Sequence, residues 1–473
     1  MPDLNVILAY ILGFGPLVLI VLALPIVAIG GAAVGLTRPV WLLFGFIVLL
    51  LSFGQSTYGQ LQASNVIYFR GTGLLFFSAV VWVLWGIAFL SLIWGGIAKR
   101  AAHTTNLSAS AYALFALFVG HLAVGLLLEQ PLKEVLGAAG LINFIHLAVF
   151  VFVLTKLLQE PEHLTWLTRL LLIVGGLRGI FGLIRWAAFG GDPANVYENV
   201  ERLGVHLTFF DICDSMVAAV VLFYCMRKLT SAWNTLSTAQ RLGLALLALL
   251  ECAVILLSYR RTAWGGLLLV LIWLFICFPP RVRTFGWLIF PALLLIVGSV
   301  GAARLGKITT GRGVFESFFY DLFPKTTFGA QSSRLLELKL ALETFYDNPI
   351  FGVGAWGRFK GSHLIGWHTG EAAFNLVHSS IVHLLFKTGL VGLTLVVVTL
   401  GLVVRFLVRS RRVLAERERW LFDSCIAGLV FFIPDFLLGT PIPQFRTMML
   451  YGLLIGLPYV IVGISSRASL VAR

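Results

Sequence analysis

Apolar runs, about a dozen of them and most long enough to cross a bilayer, leave this chain few ways to fold. A hydrocarbon layer about 30 Å thick takes on the order of 20 residues of helix, and in lipid every backbone N–H and C=O must be paired within the segment or in a closed barrel. Barrel strands alternate apolar with polar residues, whereas these runs are continuously apolar. The expected fold class is therefore an all-α polytopic membrane protein. Composition agrees: of 473 residues, 59% are hydrophobic and 12% charged, about half the charged share of a soluble domain. The mean hydropathy is +0.95.

The first run, 4–36, holds Pro16, Pro25 and many glycines, so it is either one kinked crossing or a re-entrant one. Further runs fall at 40–55, 72–98, 110–128, 139–158, 165–189, 205–226, 241–257, 262–278 and 285–301, then at 378–408, 420–438 and 447–464. The pattern predicts about 12 or 13 transmembrane helices. They divide into an N-terminal bundle over 1–301, a large, partly helical external loop over 302–377, and C-terminal transmembrane helices over 378–473. The N-terminus lacks a basic n-region and reads as a retained segment.

A net charge of +14 invites a nucleic-acid reading, but most of the basic residues sit in short connections, where the positive-inside bias puts them. Lys99-Arg100, Arg227-Lys228, Arg281 with Arg283, and the cluster from Arg409 to Arg419 agree in parity as cytoplasmic. The outer side then receives Gly190 to Gly204, the Tyr259 to Thr262 hairpin and the interval 302–377. The five cysteines, Cys213, Cys225, Cys252, Cys277 and Cys425, lie in apolar runs at no metal-ligand spacing and read as small buried hydrophobes. Inside the long interval, Ser332-Ser333 followed by RLLELKLALETFYDN reads as a capped amphipathic helix. Its apolar stripe is Leu335, Leu338, Ala341, Leu342 and Phe345, and Asn348-Pro-Ile-Phe-Gly-Val-Gly354 ends it.

Arginine in an apolar run costs roughly 3 kcal/mol even on insertion scales and is rarely kept without a role. Arg178 and Arg185 are seven residues apart and so share one helix face, and Arg260-Arg261 interrupts LLSYRRTAWGGLLL. Arg185 and the pair fall toward the outer side, against the positive-inside bias. These arginines either snorkel to phospholipid headgroups, pair with Glu251, Asp211 or Asp214 inside the bundle, or hold an anion, for which a pyrophosphate suits the guanidinium fork. Asp211 is a counter-ion or part of a polar substrate cleft. His378 opens HSSIVHLLFKTGLVG at the outer end of a helix, either as a base toward an alcohol or as a helix-start hydrogen-bonding group. His383, five residues on, lies about 140° around the helix and reads as a packing residue. The set His363, His368, His378 and His383 lacks the i, i+4 spacing of a helical zinc pair, so no metal is expected. With no P-loop and no Gly-rich dinucleotide turn, an enzyme of this kind needs a donor that is already activated and arrives through the membrane.

These residues resemble the O-antigen ligase family and the related O-antigen polymerases. The family's large periplasmic loop ends in His, then Asn, Ser or Gln, nine residues, Gly, two residues, and Gly, Thr or Tyr; His378, Ser379, Gly389 and Gly392 fit every defined position. Ser258-Tyr-Arg-Arg261-Thr-Ala-Trp looks like the family's external arginine hairpin, with Arg260 where a serine is common. Ser333-Arg334 and the stretch through Gly354 resemble the start of the shared loop region, and the likeness covers about 240 to 400.

The resemblance implies an undecaprenyl-pyrophosphate-linked glycan donor gripped by Arg178, Arg185, Arg260 or Arg261, with Arg334 a further candidate. It implies a lipid A-core acceptor, His378 as base, inversion at the anomeric carbon, and no cofactor. The place is the bacterial inner membrane with the site facing the periplasm. A polymerase or a protein-glycosylating relative would share the donor. A transporter could also bury arginines along a substrate path, but it would more often show paired broken helices in matching halves, and no such duplication is visible.

Overall fold

The computed structural model describes residues 37–55, 77–97, 101–192, 206–278, 330–364 and 376–471, with a few isolated positions besides. Nearly all of the run at 4–36, the run at 285–301, the loop stretch 302–329 and His368 lie outside the described residues. Besides a single helical turn at Leu132–Val135 and two short 3-10 turns, thirteen helices organise the described residues: α1 (Pro39–Ser52), α2 (Ala79–Ile97), α3 (Ser108–Leu127), α4 (Ile142–Leu157), α5 (Pro161–Ala188), α6 (Ile212–Ala232), α7 (Thr238–Leu256), α8 (Arg261–Cys277), α9 (Ala330–Asp347), α10 (Ser380–Arg411), α11 (Glu416–Phe431), α12 (Ile433–Leu438) and α13 (Phe445–Val471). Among the described residues seven helices are long and apolar enough to cross a membrane, and α1, α4 and α8 are shorter apolar ones. The expected 12 or 13 crossings include the runs at 4–36 and 285–301, which fall outside the described residues.

Helix α6 is the axis of the bundle. Every residue from Ile212 to Cys225 is buried, with α5, α7, α8 and α11 packed around it and α13 lying against α4. A helix apolar all round belongs inside a larger assembly. The bundle's outward faces are apolar as well: Phe89 on α2, Leu177 on α5, Leu249 on α7, and Val397 and Val404 on α10 are all exposed, as suits a lipid-facing surface. Close helix approach uses small residues. Gly428 lies where a side chain would meet Leu454 and Val220, and Gly266 faces the backbone of Phe431.

The helix ends fall into two sets. At the basic end Arg227 pairs with Glu416 at 2.7 Å, Arg411 with Asp423 at 2.7 Å, and Arg411 Nη2 reaches Cys277 Sγ at 3.2 Å. These contacts bring the ends of α6, α8 and α10 to the start of α11, matching the parity read from the basic loops. The opposite end gathers the start of α6, the α7–α8 turn, the end of α5, the start of α13 and His378.

Helix α10 departs from the single long helix expected over 378–408. Gly389 has φ 62 and ψ −162 and breaks it into two pieces. The loop after α9 fills the break. Val353 N and Gly354 N donate to the carbonyls of Phe386 and Lys387 at 2.8 and 3.1 Å, while Leu390 N and Val391 N donate to those of Pro349 and Ile350 at 2.8 and 3.1 Å. Helix residues that have lost their own partners thus regain them from Asn348–Gly354. A Cβ at Gly389 would collide with the Ile350 carbonyl, and one at Gly352 (φ 69) would reach within 2.5 Å of the Lys387 carbonyl carbon. Gly389 therefore serves a backbone-to-backbone contact, not helix packing alone.

Helix α9 rides on this junction. Ala341, Phe359, Val377 and Phe386 form a small core. Leu338, Leu342 and Phe345 turn partly inward as expected, but Leu335 is 42% exposed, and the inward face runs instead through Glu337, Ala341 and Thr344, each nearly or wholly buried. The helix begins at Ala330, ahead of the expected Ser332-Ser333 cap.

Candidate active site

His378 sits just before α10, half-buried, at the meeting of α9 and α10. Its Nδ1 lies 2.8 Å from Oε2 of Glu337, whose side chain is 0% exposed, and its backbone N–H donates to the same oxygen at 3.2 Å. Against an ionised carboxylate, which only accepts, this contact calls for an N–H on Nδ1. Five residues on, His383 is buried and its Nε2 lies 2.7 Å from the Ala139 carbonyl. It packs edge-on to Phe386, the packing role expected of it.

Below the histidine, Lys387 is 1% exposed and donates to the carbonyls of Ala355 and Gly357 at 3.0 and 2.6 Å. Ala355 N–H in turn donates to His121 Nδ1 of α3 at 3.1 Å. Loop 349–357 is therefore pinned from both α10 and α3, and the α9–loop–α10 unit is tied into the bundle.

The arginines have distinct positions. Arg178 forks onto Asp214 with two contacts of 3.1 Å. Arg185 pairs with Asp192 at 2.9 Å and also donates to the Thr208 carbonyl. Both guanidinium groups lie over the Phe209 ring, at 4.8 and 5.1 Å, so they share a face as their spacing predicts. Arg260 caps the start of α8, donates to the Phe210 carbonyl and lies over the Phe210 ring at 5.1 Å. Arg261 is exposed in the first turn of α8, and Arg334 is exposed on α9 one turn before Glu337. The extended segment 206–211 runs between these groups. Asp192 N–H donates to the Leu207 carbonyl at 2.8 Å and Thr208 N–H to that of Leu257 at 3.1 Å. Arg185 and Arg260 thus brace one stretch of backbone from α5 and α8.

Asp211 is not inside the apolar run but at the N-cap of α6, accepting from Cys213 N at 2.9 Å and from Gln55 N at 3.0 Å. Its partner is a residue that sequence reasoning passed over. Arg446, at the start of α13 and 0% exposed, contacts Asp211 at 2.9 Å and Asp214 at 2.8 Å and donates to the carbonyls of Leu50 and Leu51 at 2.7 and 3.3 Å. With Arg178 this makes a buried chain of two guanidiniums and two carboxylates, charge-balanced as burial requires.

Asp435 was also unanticipated. It is buried on α12, a short helix lying against both α8 and α10, and is within electrostatic reach of Arg260, Asp211 and His378. Among the described residues, no group of three His, Cys, Asp or Glu side chains is arranged to hold a metal ion.

Among the described residues, an all-helical bundle with apolar outward faces and seven helices long enough to cross a bilayer defines a multi-pass membrane protein. Residues 244–397 match the family model described as O-antigen ligase. The match runs from within α7 to midway along α10 and takes in Arg260, Arg261, Arg334, Glu337 and His378. Over this stretch, about a third of the chain, the protein is similar to that family. No curated protein matches the chain.

Proposed function

We propose that the chain transfers an O-antigen glycan from undecaprenyl pyrophosphate to a sugar hydroxyl of lipid A-core, on the periplasmic face of the bacterial inner membrane. The observation that carries this reading is a carboxylate-backed histidine inside the stretch that matches the family model, a stretch that also bears the arginines at the start of α8. His378 Nε2 takes the proton of the acceptor hydroxyl as its oxygen attacks the anomeric carbon. The anomeric C–O bond to pyrophosphate breaks, its electron pair leaves with the phosphate oxygen, and configuration inverts. No metal or nucleotide enters these steps.

The leaving pyrophosphate is met by Arg260, Arg261 and Arg334. A guanidinium has five N–H donors and matches phosphate oxygens in pairs. Arg178 and Arg185, neutralised by Asp214 and Asp192, keep segment 206–211 in place behind them.

The test is purified protein supplied with lipid-linked glycan and, in separate reactions, lipid A-core or further lipid-linked glycan. Glycosylated lipid A-core is the expected product. Lengthened lipid-linked glycan with lipid A-core untouched would instead make the chain a polymerase.

A further inference from the structure

We infer that Glu337 is the positioning residue of the His378 base, supplied to the transmembrane bundle by the helix that precedes it. The inference rests on the reading of His378 as the base.

Burial is the first argument. A carboxylate with 0% side-chain exposure is expensive to hold, and the neighbouring inward positions of α9, Ala341 and Thr344, are uncharged. Packing alone would be served by an apolar residue. The second argument is geometry. Oε2 of Glu337 meets both Nδ1 and the backbone N–H of His378, so one oxygen sets the ring's rotation and the start of α10 together. The third is chemistry. A carboxylate on Nδ1 fixes the tautomer whose proton-accepting nitrogen is Nε2, and it stabilises the imidazolium once the acceptor proton has moved. Among the described residues, the charged and titratable groups within electrostatic reach of this corner include Glu337 of α9, Asp435 of α12, Arg260 of α8, Asp211 at the start of α6, and His383 and Lys387 of α10 itself.

The arrangement also explains why α9 and the loop 349–357 are fastened so firmly to α10. The four backbone bonds across the Gly389 break and the two from Lys387 fix α9 relative to His378, and with it the carboxylate. A base assembled from two elements is only as well placed as the junction between them.

The experiment compares wild type, Glu337→Gln, Glu337→Asp and His378→Ala as purified proteins, with glycan transfer followed over a range of pH. Glu337→Gln keeps the shape and removes the charge. Its kcat is expected to fall by about 100-fold with donor KM within about threefold, and the acid limb of kcat/KM moves to lower pH because the imidazolium has lost its partner. Glu337→Asp keeps the charge, so its acid limb stays at the wild-type position with part of the rate recovered. Wild-type kcat and an unmoved acid limb in Glu337→Gln, beside an inactive His378→Ala, would overturn the role of Glu337 and leave the base standing. Full transfer by His378→Ala would overturn the base itself, and Glu337 with it.

Discussion

Arg446 Nη2 and Asp214 Oδ1 lie 2.8 Å apart with both side chains fully buried, and Arg178 holds the other Asp214 oxygen. Taking away one member of such a set strands a charge away from water, which costs about 3–5 kcal/mol. Arg446→Ala and Asp214→Ala are each expected to lower the unfolding midpoint sharply in detergent or nanodisc. A wild-type midpoint in both would mean that the chain does not hold the bundle together at this end.

Gly389 carries a different kind of strain. Its positive φ and the Ile350 carbonyl against it leave no place for a side chain. Gly389→Ala is expected to cost about 1–3 kcal/mol and to expose the 349–357 loop to proteolysis. Unchanged cleavage and midpoint would show that the junction tolerates a Cβ.

Lys387 is fixed by two loop carbonyls. Lys387→Met fills the space but leaves both acceptors buried without that donor, a loss of about 1–3 kcal/mol. Transfer should fall through a looser His378 corner while donor affinity holds. A drop in donor affinity with kcat intact would instead place Lys387 at the pyrophosphate.

Arg260 and Arg261 are the arginines closest to the site end of α8. Alanine at either is expected to raise donor KM by about 10-fold, and at both by more, since a charge-assisted bond to phosphate is worth about 1.5–3 kcal/mol. Arg178→Ala should lower stability first, because Asp214 loses a partner. Equal donor affinity in wild type, both single variants and the double variant would remove the clamp.

The helical class, most helix positions and the two-ended distribution of charge were legible in the sequence because apolar length and basic connections are local signals. Arg178 and Arg185 could be placed on one face by spacing alone. Asp214 stood among the partners that the sequence offered, and Arg178 holds it; Asp192 as the partner of Arg185 was not among them, since it reaches the guanidinium through a turn beyond α5 that no periodicity encodes. Arg446 escaped notice because it stands at the margin of an apolar run, where an arginine ordinarily reaches water. Glu337 was hidden among leucines: Leu335 faces out and Glu337 in, the reverse of what polarity predicts, and only the histidine it serves explains the inversion. The histidine motif fixed the distance from His378 to Gly389, but the reason for that glycine became visible only with the loop backbone lying against it.

The most direct test is glycan transfer by purified, reconstituted His378→Ala beside wild type, with unfolding midpoints measured on the same preparations. The account predicts equal midpoints and a rate at least about 100-fold lower in the variant. A stably folded His378→Ala protein that transfers glycan at the wild-type rate would contradict it.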